Sequence, residues 1–193
     1  MRKEPAKLLA LARAENQPQA GAAHEQLDLT DLARNVVRDW VQASFNFRID
    51  LGFEEQKEDT IIDGNPVMLR EMLSNLIDNA LRYTPAGGSV TVRVRRSSTE
   101  AVLEVEDTGP GIPPAERLHV FERFYRILGS NAEGSGLGLA IVREIAQQHG
   151  AEVDLFSNPR AQNPKYPGCM FRLSFPLHAP EPETPDEEPP HYG

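Results

Sequence analysis

The sequence predicts a domain of mixed helices and strands (α+β class), and three observations carry that prediction. Its 193 residues suffice for one good-sized domain plus tails. Segments whose apolar residues recur at three- and four-residue steps are interspersed with segments whose apolar residues fall at every second position. Glycine- and proline-rich turns separate them, and neither pattern runs through such turns.

Charge and cysteine content narrow the class. Twenty Lys and Arg against 29 Asp and Glu give a net charge of −9, which argues against a general affinity for nucleic acid or an anionic membrane. Glu181, Glu183, Asp186, Glu187 and Glu188 sit in a tail without Lys or Arg, so the folded part is only mildly acidic. Cys169 is the one cysteine, which excludes an internal disulfide and fits a reducing compartment. Without a signal peptide or an apolar run of spanning length, the chain is expected to be soluble, either whole or as a piece of a membrane protein.

Lys7 to Glu15 reads as a helical fragment too short to stand alone, and Asn16 to Ala23 as a linker. Thr30 is expected to cap a helix whose apolar stripe is Leu32, Val36, Val37 and Trp40. Phe47 to Phe53 alternates as a strand, and Thr60 to Ile62 makes a second, ended by Asp63-Gly64.

The strongest helix runs from Asn65 to Thr84. Asn65 is its N-cap and Pro66 its first residue, where a missing N–H costs nothing. Leu69, Met72, Leu73, Leu76, Ile77, Ala80 and Leu81 form one apolar face, and Pro85 and Gly87-Gly88 stop the helix. Glu71, Asn75 and Asn79 follow one another at four-residue steps on the polar face, with Arg82 and Tyr83 a turn further on. Asparagine is a mediocre helix former, so two of them one turn apart suggest carbonyl oxygens aimed at a ligand. A hard cation carrying phosphates suits such oxygens. On this helix alone, a solvated polar face with two incidental amides is an equal reading.

Ser89 to Arg95 and Ala101 to Val105 alternate as a hairpin, with Val90, Val92, Val94, Ala101, Leu103 and Val105 inward. Asp107-Thr108-Gly109-Pro110-Gly111-Ile112-Pro113-Pro114 follows as a tight, stiff loop. Glu116 to Phe124 is expected as a short helix, and Leu128 to Ser135 as a mobile loop. Order returns at Gly134 to Leu139, and a helix then runs to His149 with Gly150 as its terminator. Ala151 to Ser157 and Cys169 to Pro176 are two last strands around an Asn158 to Gly168 loop, and the chain is expected to be disordered from Ala179.

Gly134, Gly136 and Gly138 lead into a helix, where unpaired N–H groups and the helix dipole attract an anion. They match neither a Walker loop nor a dinucleotide fingerprint. Taken singly, a structural turn explains them better, and Asp107 is equally readable as a turn-former.

Together and in order, the Asn-x-x-x-Asn helix, the Asp-x-Gly-x-Gly loop, the Phe-rich segment from Phe121 to Tyr125 and the Gly-x-Gly-x-Gly helix start resemble one family. It is the ATP-binding domain of two-component sensor histidine kinases, part of the group that includes gyrase, the Hsp90 chaperones and the MutL repair proteins. The resemblance covers about Leu27 to Leu177. It implies a Bergerat-type fold, a two-layer α/β sandwich with a mixed sheet packed on helices and a mobile ATP lid.

The resemblance also implies roles. Asn79 is then the Mg²⁺ ligand with Asn75 beside it, Arg82 approaches the phosphates, and Tyr83 lies by the nucleotide. Asp107 accepts the adenine amino group, Gly109 and Gly111 let the backbone pass the base, and Ile112 lines the pocket. Phe121, Phe124 and Tyr125 anchor the lid, and Arg126 reaches the γ-phosphate. Gly134, Ser135, Gly136, Leu137 and Gly138 hold the phosphates. Hydrolysing relatives carry a glutamate where this chain has Asn75, and an amide takes no proton at neutral pH, so a kinase rather than an ATPase is implied.

His24-Glu25 lacks the basic residue and proline of the family's phosphoacceptor, so His24 is read as linker and the acceptor as absent. Residues 1–26 are therefore expected as the end of a dimerisation helix plus linker, 27–178 as the catalytic domain and 179–193 as the acidic tail. The implied partners are a dimerisation domain bearing the histidine and a response regulator. The fragment is expected to be monomeric, to bind ATP without autophosphorylation, and to derive from the cytoplasmic part of a dimeric inner-membrane sensor. An anti-sigma-type serine kinase and a non-catalytic nucleotide-binding scaffold are the competing readings.

Overall fold

The computed structural model describes residues 23–127 and 135–179. The helical fragment at residues 7–15, the lid from 128 to 134 with Gly134, and the acidic tail from 180 lie outside the described residues.

The Asn-bearing helix is the centre of the molecule. Helix α2 (Pro66–Tyr83) starts where expected: the Asn65 side chain accepts from the N–H groups of Val67 at 3.0 Å and Met68 at 3.1 Å. Its apolar face is wholly enclosed, with Leu69, Met72, Leu73, Ile77 and Leu81 at 0% exposure. Helix α1 (Leu29–Phe47) and helix α3 (Gly138–Gln148) pack against it on either side.

These helices cover one face of a five-stranded sheet with the order β2 (Asp50–Glu55), β4 (Ser89–Arg96), β5 (Glu100–Asp107), β7 (Cys169–Pro176), β6 (Glu152–Ser157). The β2–β4 pair is parallel and the others antiparallel, so the sheet is mixed as expected. Val90, Val92, Val94, Ala101, Leu103 and Val105 all turn inward and are buried. The opposite face carries Arg93, Glu104 and Arg172 in place of a second apolar layer.

Four local expectations need correction. First, the stretch read as linker ends in a strand: β1 (Glu25–Asp28) pairs antiparallel with β3 (Ile61–Gly64). With Leu27 as its one large apolar residue, β1 carries no alternation to detect.

Second, Asp28 rather than Thr30 caps α1, accepting from the Thr30 N–H at 2.8 Å and from the Thr60 hydroxyl at 2.7 Å. Thr30 is buried, with its hydroxyl 2.8 Å from that of Thr60.

Third, α1 runs through Phe47 and ends at Arg48 in the left-handed region (φ 57°), so β2 starts only at Asp50. The period-two pattern at Phe47, Ile49, Leu51 and Phe53 misled because all four pack against the same core from different backbone states.

Fourth, the expected helix from Glu116 to Phe124 is instead two single 3₁₀ turns, Pro114–Glu116 and His119–Phe121. Too few apolar residues there face the core to hold a full helix.

His149 is more than a helix-end histidine. Its Nδ1–H donates to the Ile145 carbonyl at 2.7 Å, so Nε2 is the acceptor for the Asn65 N–H at 3.0 Å. The ring ties the end of α3 to the start of α2, stacks on His24, and is held below the ordinary histidine pKa by burial.

Two substitutions test this framework in urea unfolding. Ile77→Ala should cost ~2–5 kcal/mol, the usual toll of a large-to-small change at a closed site. Asp28→Ala should cost ~1–2 kcal/mol by uncapping α1 and freeing the Thr60 hydroxyl.

Candidate functional site

A cavity of about 380 Å³ opens between α2, the loop after β5 and the start of α3. Its size falls within the ~300–1,000 Å³ of small-molecule clefts. From α2 it takes Asn75, Asn79, Arg82 and Tyr83; from the loop after β5, Asp107, Gly111 and Ile112. Arg126 borders it from the lid side, and Ser135, Gly136 and Gly138 close it at the start of α3. Eleven of the fourteen residues that the resemblance assigns to nucleotide or metal thus line one cavity. Gly109 lies just behind it, and Leu137 is 1% exposed within the core. Gly134 is outside the described residues.

Asp107 ends β5 and is 4% exposed. Its Oδ1 accepts from the Gly109 N–H at 2.9 Å and the Cys169 N–H at 3.1 Å. Oδ2 makes no hydrogen bond among the described residues, so an acceptor faces the cavity. Burial pushes the carboxyl up from 3.8 to about 6, although the two N–H groups pull the other way. A proton arriving there settles on Oδ2, because Oδ1 is already committed to two donors.

The two asparagines separate at this level. The Asn75 Nδ2 donates to the Glu71 carbonyl at 2.8 Å and to the Glu71 carboxylate at 3.2 Å. The Oδ1 of Asn75 lies at the start of α3, 3.2 Å from where a Cβ on Gly138 would stand. The side chain of Asn79, one turn on and half-buried, makes no hydrogen bond among the described residues and lines the cavity. A single open amide oxygen suits a cation that keeps most of its shell for phosphate and water.

At the far end, α3 begins without a side-chain cap, so its first-turn N–H groups have no partner in the helix. The Ser135 hydroxyl beside them is buried and also has no partner among the described residues. Both observations fit an anion seated at the helix start. Gly136 is required there: its φ is +71°, and a Cβ would come within 2.7 Å of the Phe124 carbonyl carbon. The Phe124 N–H donates to the Gly136 carbonyl at 2.9 Å, which joins the two sides of the lid.

Several lining residues escaped the sequence reading, among them Asp78, Val120 and Leu139. Asp78 accepts from the Arg82 Nε at 3.0 Å, and its four-residue spacing from Arg82 was the available signal. Cys169 also lines the cavity, where burial pushes its thiol well up and keeps it neutral.

Residues 64–179 match the family described as "Histidine kinase-, DNA gyrase B-, and HSP90-like ATPase". The chain is 40% identical over 130 residues to the sensor protein kinase PmrB of Pseudomonas aeruginosa, covering 67% of this chain and 27% of that one. It is 37% identical over 158 residues to the histidine-protein kinase/phosphatase MprB of a Mycobacterium species, covering 81% and 30%. The chain thus spans less than a third of the length of these curated relatives. Among solved structures, the mycobacterial sensor histidine kinase MprB matches with a TM-score of 0.69 at 33% identity, over 80% of this chain and 97% of that one. ShkA matches with 0.74 at 25% identity, over 90% and 35%. The chain belongs to the histidine kinase, gyrase B and HSP90-like ATPase family, and it is similar to the catalytic domain of sensor histidine kinases.

Proposed function

We propose that this cavity binds ATP with Mg²⁺ and presents the γ-phosphoryl to a histidine on a dimerisation domain of the parent protein, for relay to a response regulator. The observation that carries the reading is the division of labour at Asp107. One carboxylate oxygen is consumed by the backbone, and the other is left as an acceptor at the floor of a cavity whose far end is a bare helix start. An acceptor there pairs with the exocyclic amino group of adenine and not with the carbonyl of guanine. The structure of ShkA is of its complex with AMPPNP, which supports a nucleotide as the ligand.

Within this reading Asn79 holds the metal, and Arg82, oriented by Asp78, and Arg126 neutralise phosphate charge. Mg²⁺, when bound, supplies charge neutralisation on the phosphates. Asn75 cannot act as a base: it is an amide, and its nitrogen is engaged by Glu71. Water attack is therefore poor and the phosphoryl group is kept for another acceptor. The cytoplasm is the compartment where ATP and a regulator meet; among the described residues, no helix is long and apolar enough to cross a membrane.

Calorimetry with ADP tests the metal site. EDTA should weaken binding about tenfold or more, and Asn79→Ala should abolish the Mg²⁺ effect while leaving the apo melting temperature nearly unchanged. Equal affinity with and without EDTA would count against Asn79 as a ligand.

Asp107 predicts two opposed pH effects. Its folded pKa is raised, so the stability it contributes is full below about pH 3.8 and lost as pH rises through about 6. Base recognition needs the ionised form and is lost in the other direction. The ratio of ADP to GDP affinity, in which phosphate titration cancels, should be flat above pH 7 and fall as pH drops below 6. In Asp107→Asn this dependence should vanish.

Incubated alone with γ-labelled ATP, the chain should stay unlabelled. Adding a separately made dimerisation hairpin should produce acid-labile label on the hairpin, and label on His24 instead would overturn the assignment.

A further inference from the structure

We propose that Asn158, in the loop between β6 and β7, is a positioning residue that sets base specificity by holding Asp107 from behind; the proposal rests on Asp107 as the adenine acceptor. The β5–β7 ladder stops where Glu106 faces Met170, so Asp107, still paired with Val90 of β4, lies beyond the β7 pairing. The Asn158 Nδ2 donates to the Asp107 carbonyl at 2.9 Å. Asn158 is itself 6% exposed and bonded on both sides of its amide. Its Oδ1 accepts from the Arg160 N–H at 2.7 Å, and its own N–H donates to the Pro167 carbonyl at 3.0 Å.

The rest of the loop closes the same clamp. The Gly168 N–H donates to the Gly109 carbonyl at 2.9 Å, and the Arg160 guanidinium donates to the Glu106 carboxylate at 2.8 Å. Gly168 has φ +60°, and a Cβ there would overlap the Asp107 carbonyl oxygen, so the loop lies directly against the residue it braces. The N–H groups of Gly109 and Cys169 fix the carboxylate, and Asn158 fixes the main chain that carries it. With both ends held, Oδ2 cannot turn to suit a base with a carbonyl in place of the amino group. Discrimination against such a base then comes from an acceptor that does not relax.

Calorimetry with ADP and GDP on the whole chain, above pH 7, tests this in four variants. Asn158→Ala should weaken ADP about tenfold and shrink the ADP-to-GDP preference by a similar factor. Asn158→Asp keeps the shape and the bond from Arg160 but loses the donor, and it should move the preference in the same direction even if the alanine variant folds poorly. Arg160→Ala should lower the melting temperature without changing the preference, since the Asn158 bond survives it. An unchanged preference in both Asn158 variants, or an equal change in Arg160→Ala, would overturn the proposal. Asp107→Asn keeps the two failures apart: if it leaves ADP binding intact, the adenine reading itself is wrong. If it weakens ADP while the Asn158 variants do not, only the role of Asn158 falls.

Discussion

A carboxylate out of water, with one oxygen paired and the other waiting, is the constraint on which this structure turns. Asp107 is 4% exposed, and an unpaired charge in such a place is costly. The backbone meets part of that cost with two N–H groups, one from its own loop at Gly109 and one from the start of β7 at Cys169. What remains uncompensated shows in the raised pKa. The loop of Asp107-Thr108-Gly109 and the start of the neighbouring strand β7 are thus shaped around one side chain.

Helix α2 joins that site to the core. Seven apolar residues lock its inner face between α1, α3 and the sheet, so it cannot rotate without opening the interior. Its outer face is therefore presented at a fixed angle to the cavity. The neighbouring amides then do different things. Asn75 turns back on Glu71 and abuts the start of α3, which rigidifies the helix, whereas Asn79 remains open. His149 fixes the beginning of the same helix through the N–H of its cap residue. Position, more than propensity, gives these residues their roles.

The uncovered face of the sheet solves a different problem. Glu104 is 1% exposed and meets Arg172 at 2.9 Å, together with Arg95; Arg93 lies 3.4 Å from Glu106. Such desolvated pairs add little net stability, but removing one partner would strand the other. Columns of opposite charge keep the face wetted at its margins and unattractive to another sheet. Arg160 extends the network from Glu106 into the loop beside Asp107, so the charged face and the Asp107 end of the cavity share a border.

Much of this was legible in the sequence. Periodicity alone located α2 and its cap at Asn65, the β4–β5 hairpin and its inward residues, and α3 with its stop at Gly150, because each is amphipathic and stands between clear breakers. Four motifs in order pointed to the cavity, and eleven of the fourteen residues assigned to nucleotide or metal line it. What escaped depends on neighbours distant in the chain. A four-residue strand such as β1 exists only because β3 offers it an edge. The end of α1 is set by a left-handed Arg48, not by a change of pattern. Asn75 and Asn79 look alike in the sequence and differ only because one has Glu71 and the start of α3 beside it. Asn158 stands 51 residues from the carbonyl it holds, in a loop with no periodicity to mark it. Patterning determines which surfaces must be buried; which polar groups end up satisfied, and which are left facing a ligand, is decided only when remote backbone donors and acceptors are brought into hydrogen-bonding distance.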